Sequence, residues 1–290
     1  MSENSGALKP EDYLEPNCVL CGDPYGMVPE AKRVPLQRII EKLDEYQSRK
    51  DSAGAKRHLL YWLDEAKLGW DLRGQLAIRN ELIGFCRKNN EREEAFQNIE
   101  EAVKLVEELE FDGTVSSGTT YTNAATAYYT FGEYETSLFW FEKAKAVYES
   151  NSGTDAALLG GLYNNMGLTY TALKRYEKAA ELYRKALDIM ENVEEGAPER
   201  AITCLNLANA VEAQLGMENA ESEIFALLDR SEALLNEAWE EYKNRTRNEK
   251  GYYAFVCESC APTFSYYGFF MTAAELNRRA KEIYEGNGAG

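Results

Sequence analysis

Small and apolar residues recur at helical spacing in the segment 162–170, where Tyr163, Met166, Gly167 and Tyr170 share one face. Beyond a short break, Ala179, Tyr183 and Ala186 repeat the spacing in the segment 176–187. The pattern predicts two helices, here named A and B, joined by a turn at 172–175. It returns 42 residues earlier as Tyr121, Ala124, Ala125 and Tyr128, then Ser137, Phe141 and Ala144, with Gly132 in the turn. One period further back stand Arg79, Leu82, Ile83 and Cys86, then Ala95, Ile99 and Ala102, with Asn90 in the turn. One period forward stand Leu205, Ala208, Asn209 and Glu212, with Gly216 in the turn; a long acidic helix from about 219 to 243 then leaves the register. Looser units fit at 36–68 and 251–284. A period of this length marks a stack of helix pairs, because one pair cannot bury its apolar face alone.

These residues resemble the tetratricopeptide repeat family, whose A helices carry a large residue, a Leu-Gly-like pair and a Tyr, and whose B helices carry an Ala-aromatic-Ala ladder. The period and the run Tyr163-Asn164-Asn165-Met166-Gly167 are most similar to the longer repeats of kinesin light chains. The resemblance implies an all-α, right-handed α-α superhelix of about six helix pairs. Residues 35–286 would form this repeat domain. An irregular tail would occupy 1–34, punctuated by Pro10, Pro16, Pro24, Pro29 and Pro35, and a short tail 287–290. In the last unit Cys257 and Cys260 take the places of the large and Leu residues, and Pro262 is expected to interrupt the helix.

In such a solenoid the A helices line a concave groove. Asn80, Asn164 and Asn206 share one register there, and Asn123 and Asn165 share the next. An asparagine amide both donates and accepts, so it can pair with a peptide unit whatever the side chain. Neighbouring A helices lie roughly 10 Å apart, while an extended strand advances about 3.3 Å per residue, so one Asn per repeat could hold about every third residue of a ligand. Thr119, Thr122, Thr126, Tyr129, Thr130, Leu168 and Thr171 complete a neutral, hydroxylated groove. Peptide-binding tetratricopeptide proteins are similar in using groove asparagines. The competing reading is that these amides bond to neighbouring helices or to water. Arg87 and Lys88, near one end, offer a dock for a carboxylate or form a solvated helix end.

Charge and composition narrow the function. The 290 residues hold 32 Lys+Arg against 49 Asp+Glu, a net charge of −17, which disfavours nucleic acid and anionic membrane surfaces. The longest charge-free stretch, 113–132, is rich in Thr, Ser and Gly, so no membrane span is expected. His58 is the sole histidine, which removes multi-His metal sites and most nucleophile-His arrangements. It reads as a partly buried or surface residue. No phosphate loop, nucleophile elbow or paired-carboxylate constellation is present, so neither an enzyme nor a cofactor is expected. Cys18 with Cys21, and Cys257 with Cys260, have the formal CxxC spacing of a four-thiolate zinc site. The second pair falls on core positions, so packing is preferred to metal, and Cys86 and Cys204 read likewise. The aromatic run from Tyr252 to Phe270 reads as the core of a C-terminal cap, with an exposed docking patch as the alternative. The expected function is a non-catalytic cytoplasmic scaffold that binds a peptide or partner segment. A peptide-responsive sensor acting through protein contacts is the alternative, and a zinc or redox module is a third.

Overall fold

The computed structural model describes residues 31–49, 51–245 and 247–285, and among them there are twelve α-helices and no strand. They form six antiparallel pairs: α1 (Leu36–Ser48) with α2 (Ser52–Leu68), α3 (Leu72–Lys88) with α4 (Arg92–Glu108), and α5 (Val115–Thr130) with α6 (Tyr134–Ser150). Then come α7 (Ala156–Ala172) with α8 (Tyr176–Met190), α9 (Ala197–Leu215) with α10 (Met217–Tyr242), and α11 (Arg247–Tyr266) with α12 (Phe270–Glu285). Odd-numbered helices are the A helices; each pair packs on the next. The turn of the solenoid is tight enough that α1 also comes against α11.

Aspartate and threonine caps start several helices. Asp51 accepts from the Gly54 N–H at 2.7 Å, Asp71 from Gly74 at 2.9 Å and Asp155 from Ala157 at 2.8 Å. Asp71 is buried and also accepts from the Val34 N–H at 2.9 Å, so one carboxylate caps α3 and ties down the chain entering α1. The A helices end alike. Asn90, Gly132 and Lys174, one period apart, have φ of 59°, 81° and 59°. The next residue in each case donates back to a carbonyl five residues earlier, Glu91 to Cys86 at 2.8 Å, Glu133 to Tyr128 at 2.9 Å and Arg175 to Tyr170 at 2.9 Å. Gly216 holds φ 79° but ψ 151°, and α10 begins at once at Met217. The usual short connection is gone there, which is why the long helix leaves the 42-residue register.

Packing between an A helix and its B helix follows a rule of complementary volume. At one contact the paired positions are Ile83 with Ile99, Ala125 with Phe141, and Gly167 with Tyr183, all buried. As the A side shrinks from one pair to the next, the B side grows. A second contact runs through Leu76 with Val106, Gly118 with Tyr148, and Gly160 with Met190. A Cβ on Gly167 would lie 2.5 Å from Tyr183 Cε1, and one on Gly118 or Gly160 would run into Tyr148 or Met190. Interiors packed at crystal density do not absorb an added methyl without shifts.

Arg79 occupies the register of Tyr121 and Tyr163 and fills it differently. Its guanidinium bonds Asn98 Oδ1 at 3.0 Å and approaches Glu101 on α4. Tyr163 donates to Glu149 and accepts from Lys185 at 2.6 Å, while Tyr121 donates to Asp112 at 3.0 Å. His58 is half-buried, its Nε2 at 3.0 Å from the Ile39 carbonyl.

Two expectations about the last pair need correction. Pro262 does not interrupt its helix: α11 runs unbroken from Arg247 to Tyr266. Pro262 is exposed, so the carbonyl left without its donor faces water, and the buried Cys257, Cys260, Ala261 and Phe264 hold the helix on both sides of it. The aromatic run is also not all core. Tyr253 and Phe264 are fully buried, whereas Tyr252, Phe255, Tyr266 and Phe270 are exposed. Residues 1–30 of the expected tail 1–34 lie outside the described residues, as does the whole of the expected tail 287–290.

The volume rule makes a direct prediction. Gly167→Ala should destabilise the protein by about 1–3 kcal/mol through overpacking. Trimming its partner in Gly167→Ala/Tyr183→Leu should cost less than the sum of the two single changes, a coupling readable from a double-mutant cycle in urea. Lys174→Gly should instead raise the melting temperature, because a left-handed backbone is strained for lysine and free for glycine.

Candidate functional site

The groove asparagines lie half-buried along the A helices. Asn123 on α5 donates from Nδ2 to Asn80 Oδ1 on α3 at 3.1 Å, and Asn80 donates to Thr120 Oγ1 at 3.0 Å. Asn206 on α9 donates to Asn164 Oδ1 on α7 at 3.0 Å, and Asn164 to Asn165 Oδ1 at 3.4 Å. The amides therefore make two rungs, α3 to α5 and α7 to α9. Among the described residues, the Asn123 and Asn206 carbonyl oxygens and the Asn165 amino group have no side-chain partner. The bonds between helices hold the amides in place and leave these valences unused.

Between the rungs the groove wall is threonine-rich. Thr122, Thr126 and Thr130 on α5 and Thr171 on α7 donate to carbonyls four residues back, at 2.7–3.0 Å. Each hydroxyl proton is thereby used within its helix; the oxygens of Thr122, Thr126 and Thr130 are left to accept, while that of Thr171 lies 3.3 Å from the Tyr183 hydroxyl. Thr119 donates to the Val115 carbonyl at 3.1 Å and lies 3.0 Å from the Tyr148 hydroxyl. Tyr129 packs at 5.6 Å from the Tyr134 ring, and burial raises its phenol pKa. Leu168 is half-buried. Thr120, buried and the acceptor for Asn80, escaped the sequence reading because its register is that of a core position.

The N-terminal end of the groove differs in chemistry. A cavity of about 340 Å³ opens between α1, α3 and α5, walled by Leu36, Ile39, Ile40, Leu76 and Phe111, with Asn80, Glu81 and Thr119 also lining it. Burial raises the pKa of Glu81, with Asp44 on α1 adding to it, and burial lowers those of Arg87 and Lys88. Arg87 is half-buried and Lys88 reaches solvent.

Cys86, Cys204, Cys257 and Cys260 are free and buried. Burial pushes Cys86 up to about 12 and Cys204 and Cys257 up to about 11, and raises Cys260 as well. Such thiols are poor nucleophiles and poor metal ligands at neutral pH. Cys18 and Cys21, the other half of the zinc reading, lie outside the described residues. Among the described residues there is no group of three or more His, Cys, Asp or Glu side chains that could hold a metal ion. No described helix is long and apolar enough to cross a membrane.

Comparison with known proteins gives a consistent likeness. The family profile described as tetratricopeptide repeat matches residues 74–150 and 158–223. Among solved structures, BtubC (BKLC) from P. vanneervenii superposes with a TM-score of 0.61 at 20% identity, over 71% of this chain and 82% of that one. A Rap protein, solved in complex with Competence and Sporulation Factor, superposes with a TM-score of 0.50 at 14% identity, over 84% and 73% of the two chains. At these identities the likeness speaks for the fold. No curated protein sequence matches the chain.

The thiol environment sets a testable outcome. Alkylation of the native protein with iodoacetamide at pH 8, followed by peptide mapping, should leave Cys86, Cys204, Cys257 and Cys260 unmodified until denaturant is added. Rapid labelling of Cys257 or Cys260 in the native state would contradict the buried arrangement.

Proposed function

The chain belongs to the tetratricopeptide repeat family, and we propose that it is a non-catalytic interaction scaffold whose concave groove holds an extended peptide or partner segment. The observation that carries this reading is the pair of amide rungs, Asn80 with Asn123 and Asn164 with Asn206, at half-buried positions with unused valences. A fixed amide with a free donor or acceptor suits a peptide backbone, because it matches N–H and C=O without asking for a particular side chain. The threonine oxygens beside the rungs are acceptors of the same kind. The Rap protein of similar fold was solved with Competence and Sporulation Factor bound, which supports a fold of this type receiving a second molecule.

The sensor alternative draws on one further feature. Because α1 comes against α11, a ligand in the groove would touch helices whose ends already meet, so a change of curvature would be felt at that contact. The zinc alternative retains only the pair Cys257 and Cys260 among the described residues, and both are core residues. About one equivalent of zinc per purified chain, lost together with stability in Cys18→Ser, would restore it.

The test compares binding with folding. Asn165→Ala and Asn206→Ala should each weaken capture of a bound peptide or partner by about 1–3 kcal/mol where the ligand backbone is left unpaired. Both variants should melt close to the parent, Asn165→Ala the closer, since Asn206 also gives up its bond to Asn164. Capture should depend little on salt, because the middle of the groove is uncharged. Full capture by both variants, or unfolding of both, would assign the asparagines to the scaffold alone.

A further inference from the structure

Resting on the reading of the groove as a peptide site, we propose that the strip where α9 adjoins α11 receives arginine or lysine side chains of the ligand, held by Glu199 and Glu212 against exposed rings of α11. On α9, Glu199 stands two turns before Asn206, so both lie on the face that carries the second amide rung. On α11, Tyr252, Phe255, Ser259 and Tyr266 recur at helical spacing, and all are exposed. The two helices meet along this strip. Tyr266 donates to Glu212 at 3.0 Å, and the Tyr267 hydroxyl reaches Glu212 at 2.8 Å and the Asn209 side-chain oxygen at 3.1 Å.

The rings are the first observation. Tyr252, Phe255 and Tyr266 are 44%, 53% and 69% exposed, while Tyr253 and Phe264 fill the core of the same helix pair. Packing alone leaves three rings in water unexplained on a face where α5 and α7 carry Asn123, Thr126, Asn164 and Leu168. The Tyr252 and Phe255 rings lie 6.3 Å apart, centroid to centroid, and together make a shelf of π-faces. A cation over such a face is attracted by the ring quadrupole, more strongly where water is partly excluded.

The carboxylates are the second. Glu199 keeps one buried oxygen without a hydrogen-bond partner among the described residues. Desolvation, and after it the charge of Glu199, raises the pKa of the Tyr252 phenol, so that carboxylate and that ring are neighbours. Glu212 takes its bonds from two phenols. The cations nearest in sequence are engaged elsewhere: Arg200 approaches Glu237 at 3.7 Å, Arg245 bonds Glu195, and Lys250 donates to the Lys243 carbonyl at 2.6 Å. The strip therefore sets negative charge beside aromatic faces, in a chain whose net charge is −17, and its complement is a guanidinium or an ammonium group. Arginine fits better than lysine, because its planar head can pair with a carboxylate and stack on a ring at once. Glu199 and Glu212 lie about 10 Å along the helix axis on either side of Asn206. A backbone held at that amide thus has a carboxylate within reach of a long side chain in both directions.

Affinity selection on the full chain with random short peptides, N-acetylated and C-terminally amidated, and read by mass spectrometry, tests the proposal. Retained peptides should be enriched in Arg, and less so in Lys, by about tenfold over the library. Glu199→Gln/Glu212→Gln keeps shape and acceptor oxygens; it should abolish the enrichment while still retaining neutral peptides. Phe255→Ser, at an exposed position, should lower the enrichment by about threefold. Both variants should melt close to the parent. Glu218→Gln/Glu221→Gln removes the same two charges from exposed positions on α10 and should leave the enrichment at the parent level. An equal loss in this control would assign the selectivity to net charge and overturn the proposal. So would persistence in Glu199→Gln/Glu212→Gln, absence from the parent, or a basic preference that appears only with free N-termini; retained neutral peptides would in each case leave the amide rungs standing. A parent that retains no peptide of any kind would overturn the groove reading and this proposal together.

Discussion

Everything in this molecule depends on how closely each A helix can approach its B helix. The approach is set by pairs of buried residues whose sizes trade against each other: Ile83 with Ile99, Ala125 with Phe141, Gly167 with Tyr183. A ring of Tyr183 or Tyr148 lies against a glycine where any side chain would collide, so the helix axes stay close although the B side is bulky. A small residue on the A side opposite a large one on the B side lets successive pairs approach closely, and repeated close approach is what allows six of them to stack into one curved body.

That packing consumes one side of every A helix and leaves the opposite side unused. On the unused side the chain places short polar residues instead of apolar ones. Their polar groups are mostly engaged with the scaffold itself: threonines bond their own helix, and asparagines bond across to the next helix. This restrains the amides and hydroxyls before any ligand arrives, so less conformational freedom is lost when one does. The readings of asparagine as scaffold and as binding group are thus compatible in the same residue. A planar amide with one donor committed to a neighbour still has an acceptor to offer, and the reverse holds for Asn165.

Much of this was legible in the sequence because it follows from local period. The 42-residue repeat located the helices of the central pairs, the turns at Asn90, Gly132 and Gly216, and the unequal length of α10. It also put the asparagines at equivalent positions of successive A helices. What escaped were features decided by contacts between distant segments. Pro262 reads locally as a break, yet α11 runs through it because core residues on either side outweigh one missing bond at an exposed position. The trade between Gly118 and Tyr148 was invisible because its partners lie 30 residues apart and each looks ordinary alone.

The meeting of α1 with α11 belongs to the same class and reaches furthest. Each pair is rotated slightly on its predecessor, and the total depends on the sum of five such steps, each fixed by side-chain volumes at one interface. No single residue encodes the sum, so no motif announces it. With its first and last A helices in contact, the groove presents a surface bounded at both ends. The amide rungs, α3 with α5 and α7 with α9, lie between those ends, so their spacing too is set by the summed packing of the pairs and not by any one of them.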